Sequence, residues 1–265
     1  MEDMKGAGFC DVDGTIFRRQ KSWHWMEELA KSGCLSAKQL VSLQEAKAAW
    51  ERREKPFHAH DRLLVGVLLN GVKGIPTAAS VQAGRAVVEK YGAHIHTFPR
   101  ELVRAFADIG CDTFAISGSP GDVIRPFAAK LGMRDIRATE FEVGEDGCFT
   151  GKVREDWLSA QHKGDAVIDL ANAYGINLRE SVAIGDTSTD IRMMEKVGYP
   201  ICYNPNRELM KEAMRRRWPI VLERKDVWAI LKWKAGDYVY SERVDQLLPE
   251  AIRKKFLLRV AALHG

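Results

Sequence analysis

GFCDVDGTIF, Gly8 to Phe17, sets two acids one residue apart behind a short apolar run. Residues 7–12 read as a buried strand that Gly14 closes. A carboxylate carried into a low-dielectric interior is strongly disfavoured unless it meets a partner or a metal. Asp11 and Asp13 are therefore either a surface accident or the centre of a site, and the rest of the chain has to decide which.

Two more apolar, strand-prone runs end in the same way. TFAIS (113–117) stops at Gly-Ser-Pro-Gly, and SVAIGD (181–186) stops at Asp186. PICYN and PIVLE supply two further strand candidates, and RATEFEV and CFTGKV, separated by GEDG, read as a hairpin. Helical periodicity fills the gaps, in DVIRPFAAKLG with Asp122 as a candidate N-cap, in KGDAVIDLANAYG and in TDIRMMEKVG. From about Ser22 to Tyr91 the pattern is helical throughout and holds no convincing strand. The expected class is therefore α/β, a Rossmann-like parallel sheet with helices on both faces and an α-helical cap inserted after the first strand. The expected division is a core of residues 1–16 and 96–223, a cap of residues 17–95, and a C-terminal extension of residues 224–265. That extension joins an aromatic–basic run, VWAILKWKAGDYVY, to an amphipathic stretch ending in RVAALHG. It is expected to pack on the core or to mediate association, for example as a homodimer, with a partner or membrane surface as the other reading.

Composition narrows the function classes. The chain has 265 residues, 46% hydrophobic and 29% charged, with a net charge of +4. That suits a folded protein with a proper core and gives no concentrated basic stripe for nucleic acid. Arg215–Arg217 is the one tight basic cluster, best read as a solvated helix end. Five cysteines without regular spacing (Cys10, Cys34, Cys111, Cys148, Cys202) suggest neither a disulfide framework nor a zinc site. The polar N-terminus and the lack of any long apolar run leave no transmembrane segment to expect, and a cytoplasmic location follows as the default.

In a parallel α/β sheet, ligands bind outside the carboxyl ends of the strands. CDVDGT, ISGSP and IGDTSTD would bring Asp11, Asp13, Ser117, Asp186 and Asp190 to one edge. Converging carboxylates repel and titrate upward unless a cation sits among them. Oxygen donors with few histidines suit Mg2+ better than zinc, and charge alone nominates Asp11 and Asp186 as its ligands. Ser117 and the Gly118 N–H offer donors to a phosphoryl group at the start of a helix. Lys163, a cation opening the KGDAVIDL helix against its dipole, could pair with the same anion. Each piece has a plainer reading: a turn at Asp13-Gly14, an ordinary loop at Ser117-Gly118, a solvated Lys163 with Lys152 as rival, a capping Asp190. It is the conjunction that favours a site.

Together these residues resemble the haloacid dehalogenase-like (HAD) hydrolase superfamily, subfamily IB, in its phosphoserine phosphatase-like branch. The likeness rests on DxDGT as Asp11-Val12-Asp13-Gly14-Thr15, on Ser117, on Lys163, and on GDxxxD from Gly185-Asp186 to Asp190, and it runs over about residues 5–223. It implies a Mg2+-dependent phosphatase acting on a small phosphomonoester metabolite through an aspartyl-phosphate on Asp11. Asp13 would be general acid and base, and Asp11, the Asp13 carbonyl and Asp186 would hold the metal. Ser117, Gly118 and Lys163 would bind phosphate, with Thr15, Gly185 and Asp190 in support. Gln20 stands where phosphoserine phosphatases carry a glutamate that reads the substrate's amino group. Gln20 and Arg62 are the candidate cap contacts, while Arg18, Arg19, Trp23 and Trp25 either line an entrance or form basic surface and cap core. His58 with His60, and His94 with His96, are weaker metal candidates, and His162, beside Lys163, either approaches the site or, as the favoured reading, lies at the surface. Two other functions fit the same residues: a phosphotransferase or mutase using the same intermediate, and a phosphate-binding scaffold with an interaction tail.

Overall fold

The computed structural model describes residues 5–18, 21–52, 66–155, 160–224, 227–234, 237–241 and 247–264. Strand β1 (Gly8–Asp11) is buried along its whole length and stands at the centre of the sheet. It pairs in parallel with β2 (Thr113–Pro120) on one side and with β5 (Val182–Gly185) on the other. Next to β2 lies β3 (Asp135–Val143), in parallel, and beyond it β4 (Phe149–Glu155), antiparallel. On the other side β6 (Tyr199–Tyr203) and β7 (Ile220–Arg224) continue in parallel. They are followed by antiparallel β8 (Val227–Lys234) and β9 (Asp237–Ser241). Among the described residues the sheet thus runs β4-β3-β2-β1-β5-β6-β7-β8-β9. The chain leaves β1 in one direction for β2 and later returns on the opposite side for β5. That reversal opens a crevice at the carboxyl end of β1.

Side chains alternate across the sheet as strand geometry requires. Phe9, Phe114, Ile116 and Ala183 enter one apolar layer. That layer is covered by α7 (Ala160–Tyr174), the short α8 (Ile191–Met194) and α9 (Arg207–Arg216) through Val167, Leu170, Met193 and Leu209. Cys10, Ala115, Ile184, Ile201 and Val221 enter the other layer. There α5 (Thr97–Asp108) and α6 (Gly121–Lys130) supply Leu102, Phe106, Ile124 and Phe127. Helices on both faces of a mostly parallel sheet give the expected class. The start of α6 differs from expectation: Pro120, with φ −56°, takes the N-cap position. Asp122 instead accepts a hydrogen bond from Ser80. Pro120 occupies the capping position, which leaves Asp122 inside the first turn of the helix.

Between β1 and α5 come α1 (Lys21–Lys31), α2 (Ala37–Arg52), the described part of α3 (66–72) and α4 (Thr77–Tyr91). The two passages between this helical cap and the core pair with each other. Phe17 bridges Ile95, Arg18 N donates to the His94 carbonyl at 3.0 Å, and His96 N donates to that of Ile16 at 2.9 Å. The cap is also laced to the β3–β4 hairpin. Gly74 N donates to Phe149 O at 2.8 Å, Phe149 N to Ile75 O at 2.9 Å, and Thr77 N to Gly147 O at 3.1 Å. Trp23 and Trp25 are buried core residues. The Trp25 indole donates to Ser80 O at 3.1 Å and stacks on Phe141. The entrance reading of these two tryptophans therefore gives way to the cap-core one.

The aromatic–basic run after Glu223, read without strands, forms the β8–β9 edge. α10 (Glu250–His264) then crosses back over α5. Phe256 is fully buried with its ring centroid 5.1 Å from that of Phe98. Arg259 grips Asp108 through two hydrogen bonds of 2.6 and 2.7 Å. Among the described residues no helix is long and apolar enough to cross a membrane.

Candidate active site

β1 delivers Asp11 to the crevice, where its Cα is in register with Ile116 of β2. The chain then turns back on itself: Phe17 N donates to Val12 O and Gly14 N to Phe17 O, both at 2.8 Å. Gly14 has φ +88°, and a Cβ there would lie 2.2 Å from Asp186 Oδ2. Backbone conformation and space both demand glycine at this point. The turn presents Asp13 to the cap and Thr15 to the neighbouring strand, where Thr15 Oγ1 donates to Asp186 Oδ1 at 3.2 Å.

Asp186 follows β5 directly, and Asp190 folds back beneath it. Asp190 Oδ2 accepts from Asp186 N at 3.1 Å, from Thr187 N at 2.9 Å and from Thr187 Oγ1 at 3.2 Å. A Cβ on Gly185 would sit 2.4 Å from that of Asp190, so only glycine lets the loop close this tightly. Asp190 Oδ1 accepts from Lys163 Nζ at 2.6 Å, and the same ammonium donates to Asp11 Oδ1 at 2.7 Å. Lys163 is the fourth residue of α7, which begins three residues earlier than expected. Lys152 is excluded as its rival, because it is exposed and faces Glu142.

Burial is the largest influence on the acids. It pushes Asp11 up to about 7, with Lys163 opposing and Asp190 and Asp13 adding to the rise. It likewise raises Asp186 well above the usual carboxylate range, helped by Asp11 and Asp190. Burial works against the Lys163 ammonium, but Asp11 and Asp190 outweigh it and hold the group charged far above its ordinary range. Oxygens of Asp11, Asp186 and Asp190 all lie within 4.8 Å of one another. Both Asp190 oxygens are engaged by donors, whereas Asp11 Oδ2 is buried with no hydrogen-bond partner. A hard cation at that oxygen would supply the missing partner and relieve the crowding of charge. The donor set thus fits Mg2+, with Asp11 and Asp186 as the available carboxylates. The three clustered acids are the sole such group of His, Cys, Asp or Glu among the described residues. His94 and His96 belong to none; His58 and His60 lie outside those residues.

Asp13 is held from three directions. Lys21 N donates to Oδ1 at 2.6 Å, while Ser119 Oγ at 2.6 Å and Ser117 Oγ at 3.2 Å donate to Oδ2. Ser117 and Gly118 lie within β2 rather than at a helix start, since α6 begins at Gly121. The pairing with β3 shifts register between Ser117 and Pro120, at the strand end whose two serines reach Asp13. Ser117 Oγ also accepts from Ser119 N at 3.0 Å, and the Gly118 carbonyl accepts from Thr139 Oγ1 at 2.9 Å. Sequence reasoning missed Ser119, Ser22, whose hydroxyl lies 2.6 Å from that of Ser119, and Lys21. None of the three carries a local sign in the sequence. Arg18 Nε donates to Ile95 O at 3.1 Å and its guanidinium lies 3.5 Å from Glu223, so it braces the linkers. Gln20, Arg62 and Arg19 lie outside the described residues.

Residues 9–195 match the model of the haloacid dehalogenase-like hydrolase family. Over 222 residues the chain is 38% identical to the "Inhibition of morphological differentiation protein" of Streptomyces azureus, covering 81% of this chain and 77% of that one. It is 27% identical over 233 residues to the phosphoserine phosphatase of Methanocaldococcus jannaschii, with 88% and 99% covered. A solved structure described as "Phospho-Aspartyl Intermediate Analogue of Phosphoserine phosphatase" superposes with a TM-score of 0.58 at 22% identity. That superposition covers 84% of this chain and 95% of the other, a likeness of fold.

Proposed function

Because the chain belongs to the haloacid dehalogenase-like hydrolases and is a phosphatase among them, we propose that it hydrolyses a small phosphomonoester metabolite through an aspartyl-phosphate on Asp11. The observation that carries this reading is the Asp11 carboxylate itself. One oxygen is fixed by Lys163 and the other is buried without a donor, beside two further acids. In the first step an Asp11 oxygen bonds to phosphorus as the ester P–O bond breaks, and Asp13 delivers its proton to the departing alcohol oxygen. In the second, water attacks phosphorus, Asp13 takes the water's proton, and the bond to Asp11 breaks to release phosphate. Mg2+, held by the Asp11 and Asp186 carboxylates with the Asp13 carbonyl, would supply the positive charge that lets one anion approach another. Lys163, Ser117 and the Gly118 N–H are assigned to the phosphoryl oxygens. Thr15, Gly185 and Asp190 are assigned to positioning.

We further assign residues 1–16 and 96–223 to the core, 17–95 to the cap, and 224–265 to an extension packed on the core. Five free thiols suit a reducing cytoplasm. The test is hydrolysis of p-nitrophenyl phosphate. Chelation should abolish it and Mg2+ restore it, and Asp11→Asn should lower kcat by about a thousandfold or more. Turnover that survives Asp11→Asn overturns the reading, and phosphoester formed in place of phosphate when acceptor alcohols are added moves it to phosphotransfer.

A further inference from the structure

The acids and Lys163 have tasks in that chemistry, but a second buried cation has none. Lys21, the first residue of α1, is 1% exposed. Its main-chain N–H is fixed to Asp13 Oδ1, and its side chain runs between two rings. Nζ lies 3.7 Å from the Phe17 centroid and 3.4 Å from that of Phe127. Among the described residues, no hydrogen-bond acceptor reaches the ammonium.

Two ring faces stabilise a desolvated cation but do not replace the hydrogen bonds that an ammonium loses on burial. Burial pushes the Lys21 ammonium down to about 7, with Asp13 and Asp11 opposing, and both carboxylates direct oxygens elsewhere. Asp13 takes two serine hydroxyls and a main-chain N–H, and Asp11 Oδ1 takes Lys163. Three N–H donors therefore remain unused on a residue whose main chain is fixed to the acid assigned to the departing alcohol. The rings on either flank exclude water from them. An ammonium kept dry and without an acceptor is organised for an anion that arrives with the substrate.

We propose that Lys21 is a specificity-determining residue that receives an anionic substituent on the leaving alcohol. The substrates are then phosphomonoesters with a second negative group a few atoms from the ester oxygen, and esters bearing an ammonium there are disfavoured. This rests on the phosphomonoesterase reading above and names its substrate class.

Three esters of similar size separate the charges: 2-phosphoglycolate, ethyl phosphate and phosphoethanolamine. Their binding to Asp11→Asn protein with Mg2+, measured by calorimetry, should fall in that order by about tenfold per step, the worth of a hydrogen bond to a charged group. kcat/KM of the unaltered enzyme should follow the same order. In Lys21→Met, which keeps the apolar stem between the rings, the spread should collapse to about twofold or less. An undiminished spread in that variant overturns the proposal, as does tightest binding of phosphoethanolamine by the parent. If Lys21→Met loses its cooperative thermal transition, Lys21→Gln is read by the same criterion. Absent p-nitrophenyl phosphate turnover with the charge ranking intact would sink the aspartyl-phosphate reading and leave this one standing. Normal turnover with charge-blind ranking would do the reverse.

Discussion

Lys163 is 5% exposed and lies between Asp11 and Asp190, which are 4% and 0% exposed. A buried cation shared by two buried anions makes truncation costly, because the anions then face the interior unpaired. Lys163→Met should destabilise the metal-free protein by about 3–5 kcal/mol in urea denaturation. Adding Asp190→Asn should recover part of that loss, since one of the stranded charges is then gone; a neutral single variant would show the triangle to be solvated. The members of this triangle were legible because each stands at a strand end or helix start, where topology converts distance in sequence into proximity. Ser119 and Ser22 were not. The bond from Ser119 to Asp13 and the bond between the two serines span 106 and 97 positions, and no local pattern announces a contact of that range. The choice between Lys163 and Lys152 was likewise closed to sequence, since depth in the fold separates them and charge does not.

α5 begins without help from its own N-cap residue: His96 holds that position and makes no side-chain capping bond. Glu223 of β7 supplies it. Its carboxylate, 1% exposed, accepts from Thr97 N at 2.9 Å and Phe98 N at 2.8 Å, with His96 Nδ1 at 3.6 Å and Arg18 at 3.5 Å. Burial pushes Glu223 upward, but these donors prevail and hold it at about 2, below the ordinary 4.5. Its stabilising effect is thus fully present above pH 4.5, where both folded and unfolded forms are ionised. On acidification the unfolded chain takes up the proton first, and the effect drains away towards pH 2. Glu223→Gln should cost about 2 kcal/mol at neutral pH. The gap between variant and parent, followed by denaturation, should shrink by more than half by about pH 3. A gap independent of pH would mean that shape, not charge, matters at this position. The parallel strands and their helices announced themselves by apolar runs and period. β8 and β9 did not, because the apolar run VWAIL that opens β8 gives way at once to Lys, Trp and Tyr, a mixture that fits no single strand or helix period. The acceptor that caps α5 lay beyond reading for the same reason as Ser119.

The C-terminal extension closes the molecule. Leu247, Leu248, Ile252 and Phe256 are all buried, and Phe256 and Trp228 both contact the ring of Phe98. Phe256→Ala should destabilise the protein by about 3–4 kcal/mol, seen as a lowered thermal midpoint. Removing residues 247–265 should uncover the same apolar floor and reduce turnover with stability. Full activity and an unchanged midpoint after that deletion would make the segment a detachable module. The cap, for its part, is fastened along two lines, the paired linkers at Phe17 and Ile95 and the three main-chain bonds to the β3–β4 hairpin. A lid hinged on one side swings freely, but one latched on both must first undo a latch. The hairpin tip is therefore the natural clasp, and a crosslink there would trap whatever the enzyme had already swallowed.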